Sequence, residues 1–528
     1  MGTLRKILSS TEEGEQLINT QQQNEAEIAG DMDIVDESAP RSNTSLPEAE
    51  VNISKVTLFH AIFSTSGDIE TSCLNLMSVP LKHLFNESIY SHYGVYTNDT
   101  EFNLIFSIIA TSMFVGIIVG GLLMGFLMHV FGRKGTAIYV RCSLEILAAT
   151  FMIGARYFHS VELYAIAHFL AGVISTLKMV LYIYMTECAP NDSRGISGMA
   201  IGSGSFLIML GIQSLCLPSV LGNDSRWVGL PIICLIVAVI HMLGGLFLPE
   251  SPKHLYIIKD KKSEAINAIN YYHGDHIDTA LIMEEYEREK EIISLGHVSL
   301  KQVWQNRTLR RPFLICAICG MVSGAAAISI TSQYQLSMFL TFGMTQAQGV
   351  LATMIISFVT LPLCLVSPVV IEKVGRRPLF LFVSGLCVIE WLLLMIARSM
   401  IDINIRVHVL TSVLGVVGAL AGQVSVMMGL MILTPIIIGE LCPHVARAPV
   451  GQFVQIVPVL YALVSVFTYP VAVSHIGALF FLPFFFVSSL LWYLMYKNLP
   501  ETAGLPVDTI IRRLTNTDQS MESPASAS

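Results

Sequence analysis

The stretch Gly132-Arg133-Lys134, set between two long apolar runs, has a second copy further along the chain, Gly375-Arg376-Arg377. The same two elements follow each copy in the same order. After the first come Glu187, with Arg194 seven positions on, and then Leu248-Pro249-Glu250-Ser251-Pro252-Lys253. After the second come Glu440, with Arg447 again seven positions on, and then Leu499-Pro500-Glu501-Thr502. Three charged elements recurring in one order describe a duplicated membrane bundle, an organisation that places a substrate site at the axis relating the halves.

Composition excludes a soluble chain. Of 528 residues 53% are hydrophobic and only 13% charged, and the mean hydropathy is +0.63, far too apolar for soluble domains of this length. Apolar segments long enough to cross about 30 Å of hydrocarbon fall near 56–79, 102–128, 136–156, 162–186, 197–218 and 227–248, and again near 312–339, 347–371, 378–398, 409–438, 450–472 and 475–497. The expected fold is an all-α polytopic membrane protein, twelve transmembrane helices in two pseudo-symmetric six-helix bundles. Residues 1–53, polar and rich in Gln, Ser and Glu, read as a disordered tail with no cleavable signal peptide. Residues 54–253 form the first bundle, 254–311 a charged helical linker, 312–503 the second bundle and 504–528 a second tail.

The net charge of -8 comes largely from the tails and linker. Ten cysteines scatter through apolar segments, and the close pair Cys316 and Cys319 is one helical turn apart, so buried inert thiols are expected rather than a disulfide framework. His273-Gly274-Asp275-His276 resembles a metal-ligand set only superficially, and neither metal nor cofactor is expected. There is no nucleotide-binding motif to support ATP drive, no nucleophile–base constellation of an enzyme, and no sign of a nucleic-acid partner.

Arg133-Lys134, Arg194, Arg376-Arg377 and Arg447 fall in the connections after helices two, four, eight and ten, while the opposite connections are poor in Lys and Arg. Positive-inside bias therefore puts both chain ends and the linker in the cytoplasm. Asn86-Glu87-Ser88 and Asn98-Asp99-Thr100 then lie in the long outer or luminal loop after helix one, with Asn86 and Asn98 as glycosylation acceptors. In the first tail, Glu13-Gly14-Glu15-Gln16-Leu17-Ile18 fits the acidic dileucine pattern read by endosomal adaptors. Glu13, Leu17 and Ile18 thus set an endosomal or lysosomal membrane beside the plasma membrane as alternative locations.

The paired Gly-Arg loops, the Glu-x6-Arg elements and the Pro-Glu-Ser and Pro-Glu-Thr ends resemble the sugar porter branch of the major facilitator superfamily, which includes the facilitative glucose transporters. The match covers about residues 56–505. For a member, the resemblance implies two six-helix bundles rocking about a central site between helices one, four, seven and ten, with sugar transport by alternating access. Arg133 or Lys134 with Glu187, and Arg376 or Arg377 with Glu440, would then form cytoplasmic clamps that break on switching. The family's first loop carries an acid and an Arg where this chain has His129 and Val130, which makes that clamp looser or pH-sensitive.

The substrate positions depart further from the family. Its helix-seven amides fall on Ser323, Gly324 and Ser329, the helix-five Gln on Gly202, the helix-eight Asn on Thr360, and helix eleven's Asn-Trp on Pro458-Val459. A site built to hydrogen-bond several hydroxyls loses most of its discrimination without those partners. Charge takes their place: Asp68 and Glu70 lie inside the first apolar segment and Lys178 inside the fourth. An ionisable group at that depth costs roughly 2.5–3.5 kcal/mol, so it has a partner, water or a function.

Residues two apart do not share a helix face. The expectation takes Glu70 as the inward acid, one turn before Cys73, which matches the proton-coupling acid of the family's proton–sugar symporters. An ion pair of Glu70 with Lys178 would be split by an anionic substrate or by protonation; equally, it would simply staple helices one and four. His168 matches a family Arg at the start of helix four, which implies a cavity or gate role, while Arg141, Glu145 and Glu390 read as pairs packed between helices or near their ends. Ser329, Thr331, Gln333 and Gln335 make the outer half of helix seven polar. The expected function is secondary transport of a small polar solute, sugar-like or charged, with uniport and proton coupling both open. The alternative is a non-transporting sensor or interaction protein that keeps the fold.

Overall fold

The computed structural model describes residues 48–190, 194–274, 278–294, 299–404, 407–442 and 444–502. Both outer tails, with the dileucine-type Glu13, Leu17 and Ile18, lie outside these residues. Among the described residues twelve spans follow one another. In the first half they are Glu48–Phe63 with Ser66–Leu76, Asp99–Lys134, Arg141–Tyr157, Val161–Cys188, Arg194–Leu215 and Gly229–Gly244. In the second half they are Arg307–Ala325 with Ile328–Thr341, Gln346–Val374, Arg376–Asp402, His408–Ser425 with Met431–Leu441, His444–Ile476 and Phe481–Asn498. Four short helices between the halves, Pro252–Ile257, Lys262–His273, Thr279–Ser294 and Leu300–Gln305, make up the linker.

Local chemistry sets where spans begin. Asn98 and Glu101 form a reciprocal cap at the start of the second span, and Thr345 with Gln348 does the same at the eighth. Each cap satisfies two backbone N–H groups that a helix start leaves without partners. Beyond the first span the chain continues as a helix, Ser78–Tyr93, that ends on Gly94 in the left-handed region.

The first, seventh and tenth spans are interrupted. In hydrocarbon every backbone polar group needs an internal partner, and the breaks meet that need with side chains from neighbouring helices. At the first break the Ser64 carbonyl accepts a hydrogen bond from Arg141 Nη1 at 3.1 Å. At the seventh, the Ala325 carbonyl accepts from Trp391 Nε1 at 2.8 Å and from Ser488 Oγ at 3.3 Å. The third span thus serves the first as the ninth serves the seventh. The tenth breaks at Gly429, whose φ of 117° only glycine adopts without strain.

Within the first bundle the second and fourth spans touch backbone to backbone. A Cβ on Gly172 would lie 1.9 Å from the Met113 carbonyl oxygen, and one on Gly116 would lie 2.1 Å from that of Phe169. Small residues are what permit such an approach between membrane helices.

The two bundles are tied at the end away from the Gly-Arg loops. Asn75 Nδ2 donates to the Thr331 carbonyl at 3.3 Å while Asn75 Oδ1 accepts from Leu336 N at 3.0 Å. Gln346 Nε2 also donates to the Gly222 carbonyl at 2.8 Å. Nearer the Gly-Arg end, the two halves meet through a Ser203 Oγ–Cys364 Sγ contact at 3.6 Å.

Gly172→Ala is expected to destabilise the protein by about 1–3 kcal/mol through overpacking, read as a lower melting temperature in detergent. Gly121→Ala, where a Cβ meets only Thr176 Cγ2 at 4.0 Å, is expected to melt like the wild type; equal melting of both variants would contradict the close approach.

Candidate functional site

Between the bundles lies a cavity of 380 Å³, within the range of small-molecule sites. The first span lines it with Asp68, Thr71, Ser72 and Asn75. These four positions are i, i+3, i+4 and i+7, one face of a helix. Lys178 from the fourth span and Ser205 from the fifth complete that wall. Lys178 Nζ donates to Asp68 Oδ2 and, at 3.0 Å, to Ser205 Oγ.

The acid on Lys178 is therefore Asp68, which corrects the expectation that Glu70 would take this role. Glu70 lies on the other face and is fully buried inside the first bundle. Neither of its oxygens has a hydrogen-bond partner among the described residues. The polar stripe running through Asp68, Thr71, Ser72 and Asn75 is the sequence signal that distinguishes the two acids.

Behind this wall is a buried polar network. Arg141 Nη1 pairs with Glu145 Oε1 at 3.0 Å, both side chains being fully buried. Ser66 Oγ donates to Glu145 Oε2 at 2.9 Å. Arg141 Nη2 donates to His241 Nδ1 at 3.1 Å, and His241 Nε2 lies 3.0 Å from His60 Nδ1. Cys142, Glu145 and His241 bring metal-ligand types within 4.8 Å of one another, but the Arg141 guanidinium occupies the donor positions and supplies the balancing positive charge. Glu390 in the ninth span is also buried; it fills the space left by Gly422, where a Cβ would lie 2.3 Å from its carboxylate.

The second bundle faces the cavity with uncharged groups, among them Gln333, Gln335, Thr353, Ser357 and Gln423. Gln333 also reaches the first bundle: His168 Nε2 donates to its Oε1 at 3.0 Å, and its Nε2 donates to Met113 Sδ at 3.2 Å. His168 is fully buried in that tie. Other expected site residues lie elsewhere. Ser323 Oγ is 3.5 Å from Thr434 Oγ1 and the Leu430 carbonyl. Thr360 bonds back to its own helix at Ile356 O, 2.9 Å away, and the Ser329 carbonyl accepts from Ser332 Oγ. None of Ser323, Ser329 and Thr360 is among the cavity-lining residues. On the seventh span packing closes that position, because a Cβ on Gly324 would lie 2.5 Å from Pro458 Cβ. Two positions that carry family amides thus close on each other, and the cavity is lined from further along the seventh span. Sequence reasoning also missed Asn75, Tyr182, Gln213 and Gln423, since isolated polar residues in apolar segments do not disclose which face they occupy.

At the Gly-Arg end each bundle repeats one clamp. Gly132 has φ 79° and Gly375 φ 93°; a Cβ on either would run into a carboxylate, Glu250 Oε2 at 2.4 Å or Glu501 Oε2 at 2.8 Å. Glu250 accepts from Lys134 N at 2.8 Å and Ser251 N at 2.9 Å. Glu501 accepts from Arg376 N at 2.9 Å, Arg377 N at 3.2 Å and Thr502 N at 3.0 Å. Arg133 Nε then reaches Glu187 at 3.3 Å and Arg376 Nε reaches Glu440 at 3.0 Å. The Ser251 and Thr502 hydroxyls donate to the same two glutamates.

Lys134 and Arg377 instead donate to the carbonyls of Leu248 and Tyr496. Arg447 Nε donates to the Cys442 carbonyl at 3.0 Å, and Arg194 opens its helix with a side chain outside the described set. Both clamps are formed while the bundles are tied at the opposite end, and each lies wholly inside one bundle. Bundle rocking therefore need not part them, contrary to the expectation that they break on switching.

The histidine in the first clamp is His254, not His129. Arg133 Nη1 lies 2.7 Å from His254 Nδ1, whereas His129 is exposed. Burial, then the neighbouring Arg133, Lys259 and His129 charges, lower the His254 pKa to about 4. Next to the clamp, Tyr272 OH of the linker lies 2.6 Å from Tyr184 OH, and the two hydroxyls share the Pro249 carbonyl as an acceptor within reach, at 2.9 and 2.7 Å. His273 Nε2 donates to the Cys188 carbonyl at 3.1 Å, and Asp275 and His276 lie outside the described residues. On the opposite end Asn86 and Asn98 are exposed, the Asn98 side chain capping the second span.

Two six-helix bundles enclosing a polar cavity, tied at one end and clamped internally at the other, define a multi-pass secondary transporter of the major facilitator fold that works by alternating access. The family model described as sugar (and other) transporter matches residues 70–513. The chain belongs to that family. It is 24% identical over 359 residues to solute carrier family 2, facilitated glucose transporter member 7, of Mus musculus, covering 67% of this chain and 70% of that protein. To human member 7 it is 24% identical over 438 residues, covering 82% and 84%. The fold matches the inward-open conformation of the xylose transporter XylE from E. coli with a TM-score of 0.67, at 16% identity over 88% of this chain and 99% of that one.

A histidine whose folded pKa is lowered contributes stability that is complete above the unfolded value of 6.5 and drains as pH falls toward about 4. Melting between pH 7 and pH 5 is expected to drop more in wild type than in His254→Gln; superimposable profiles would refute this role.

Proposed function

We propose that this carrier moves a small hydroxylated solute of monosaccharide size through the cavity between Asp68, Lys178 and the amides of Gln333 and Gln335. The observation that supports this reading most is the cavity itself. Its polar groups come from both bundles, so a solute bound there contacts the two bodies that move against each other. The relatives named above, facilitated glucose transporters by description, favour a sugar-like cargo.

On this reading the Gly-Arg end is cytoplasmic, as the clustering of Arg and Lys there favours. The tied end faces the exterior or a lumen, where Asn86 and Asn98 would carry glycans. The plasma membrane is the proposed location. The endosomal or lysosomal alternative rests on Glu13, Leu17 and Ile18 as an adaptor signal, and would appear as redistribution to the cell surface when Leu17 and Ile18 are changed to alanine.

Uptake into proteoliposomes of purified protein tests the function. Saturable uptake of hexoses, pentoses, polyols or their acids is expected, and its absence from folded protein across that panel would favour the sensor reading. Gln333→Ala removes a cavity amide and the His168 tie together. It is expected to raise KM about tenfold, the equivalent of one lost hydrogen bond to a well-placed hydroxyl; unchanged kinetics would remove Gln333 from the site.

A further inference from the structure

We propose that the cargo is a small hydroxylated monoanion, a sugar acid or hydroxy acid, carried together with one proton; this rests on the transporter reading above and names its substrate class. The charge around the cavity is divided unevenly. Every cavity-lining residue from the second bundle is uncharged, while the first bundle presents Asp68 and Lys178. An ammonium has three N–H donors; among the described residues those of Lys178 serve Asp68 and Ser205, leaving one for an oxygen in the cavity. The Asp68 side chain is the more open partner, 29% exposed against 11% for Lys178.

A neutral hexose would use this pair only as a hydrogen-bond acceptor and donor, a role that uncharged groups fill at less cost than an ion pair in a low-dielectric site, which is often replaceable without loss of stability. A cation drawn to Asp68 would leave Lys178 with an unpaired like charge beside it. An anion fits Lys178, but with Asp68 ionised the cavity would hold one uncompensated negative charge, which hydrocarbon surroundings penalise heavily. One proton on an Asp68 oxygen restores neutrality. Before binding the groups are Lys178 ammonium and Asp68 carboxylate; afterwards they are Lys178 ammonium, cargo anion and Asp68 carboxylic acid, whose O–H donates to the cargo. Release of the anion returns the proton and re-forms the original pair. Each cycle moves one anion and one proton with no net charge, and the hydroxyls of the cargo meet Gln333, Gln335 and Gln423 on the uncharged wall.

The titratable groups packed around Asp68 are Lys178 and Tyr182 from the fourth span, Arg141 and Glu145 from the third behind Gly67, and His241 from the sixth. His60 and Glu70 belong to its own span. Arg141 and Glu145 neutralise each other and the histidines lie beyond the guanidinium, so Lys178 is the charge that exchange at the cavity alters.

The test is uptake of glucuronate and of glucose by proteoliposomes of the full chain, with the proton gradient and the membrane potential set independently. Saturable glucuronate uptake is expected, accelerated about tenfold by an inward gradient of one pH unit and indifferent to potential. In Asp68→Asn the acceleration by the gradient disappears and uptake responds to potential, because the anion then moves uncompensated. In Lys178→Gln glucuronate uptake falls at least tenfold in protein whose melting is intact; should that variant not fold, the potential response of Asp68→Asn decides. Saturable glucose uptake that glucuronate neither shares nor inhibits would overturn the anion proposal and leave the transporter standing. Glucuronate uptake in wild type that follows the potential would overturn proton co-transport. Uptake of neither solute by folded protein would overturn the anion proposal, and silence across the wider panel of pentoses and polyols as well would overturn the transporter reading with it.

Discussion

A chain that interrupts its helices inside hydrocarbon must supply a hydrogen-bond partner for each backbone group that the interruption frees, and much of this structure follows from that demand. The break after Phe63 puts the Ser64 carbonyl where only a side chain can reach it, and Arg141 does so. Arg141 in turn needs a counter-charge, Glu145, whose second oxygen is satisfied by Ser66 at the far edge of the same break. Gly67 lets the helices approach, since a Cβ there would lie 2.5 Å from Ile174. Removing one partner of such a buried pair costs about 3–5 kcal/mol, so the network fixes the break as firmly as continuous helix would. The broken first span can then turn Asp68 and Asn75 to the cavity while Glu70 stays inside the bundle. In the second half the same problem is solved with an uncharged indole, Trp391, on the Ala325 carbonyl.

The clamps at the other end make each bundle a body. In both, a glycine at positive φ opens space for a carboxylate, which collects backbone N–H groups, and an Arg bridges to a second carboxylate. Charge-assisted bonds of this kind are roughly twice as strong as neutral ones. Because the first clamp joins only residues of the first bundle and the second only those of the second, they stiffen the moving parts without opposing the movement between them. That movement is resisted at the tied end, by Asn75, Gln346 and the His168–Gln333 bond.

How far the sequence discloses this depends on the kind of information needed. The duplicated charged elements recur at fixed order and spacing, so the twelve spans and the two bundles are legible before any coordinates. The choice between Asp68 and Glu70 was also legible, in the polar stripe at i, i+3, i+4 and i+7, but correspondence with the family's acid at Cys73 pointed to the wrong face. The contact of Gly324 with Pro458 was not legible, because it requires knowing which turns of two distant helices meet. For the same reason His254, brought to Arg133 from beyond the sixth span, was hidden behind the nearer His129. Ser323, Ser329 and Thr360 were placed by alignment to family positions that lie outside the cavity here, which the seventh helix lines instead from Thr331, Ser332, Gln333 and Gln335.

Gln333 belongs both to the cavity and to the tie between bundles. Its carbonyl oxygen accepts from His168, and its amide nitrogen has only a weak acceptor in Met113 Sδ at 3.2 Å and a long contact to Ser332 Oγ at 3.4 Å. A cargo hydroxyl offers that nitrogen a better acceptor than sulfur and offers the oxygen a competing donor. Binding therefore acts directly on one of the bonds that hold the bundles together at that end. A ligand can shift a conformational equilibrium only by as much as its affinities for the two states differ, and an amide shared between gate and cargo is a physical source of that difference. With the ionised pair confined to the first bundle and Gln333, Gln335 and Gln423 facing it from the second, the cargo itself becomes the connection between the bodies when the His168–Gln333 bond is given up.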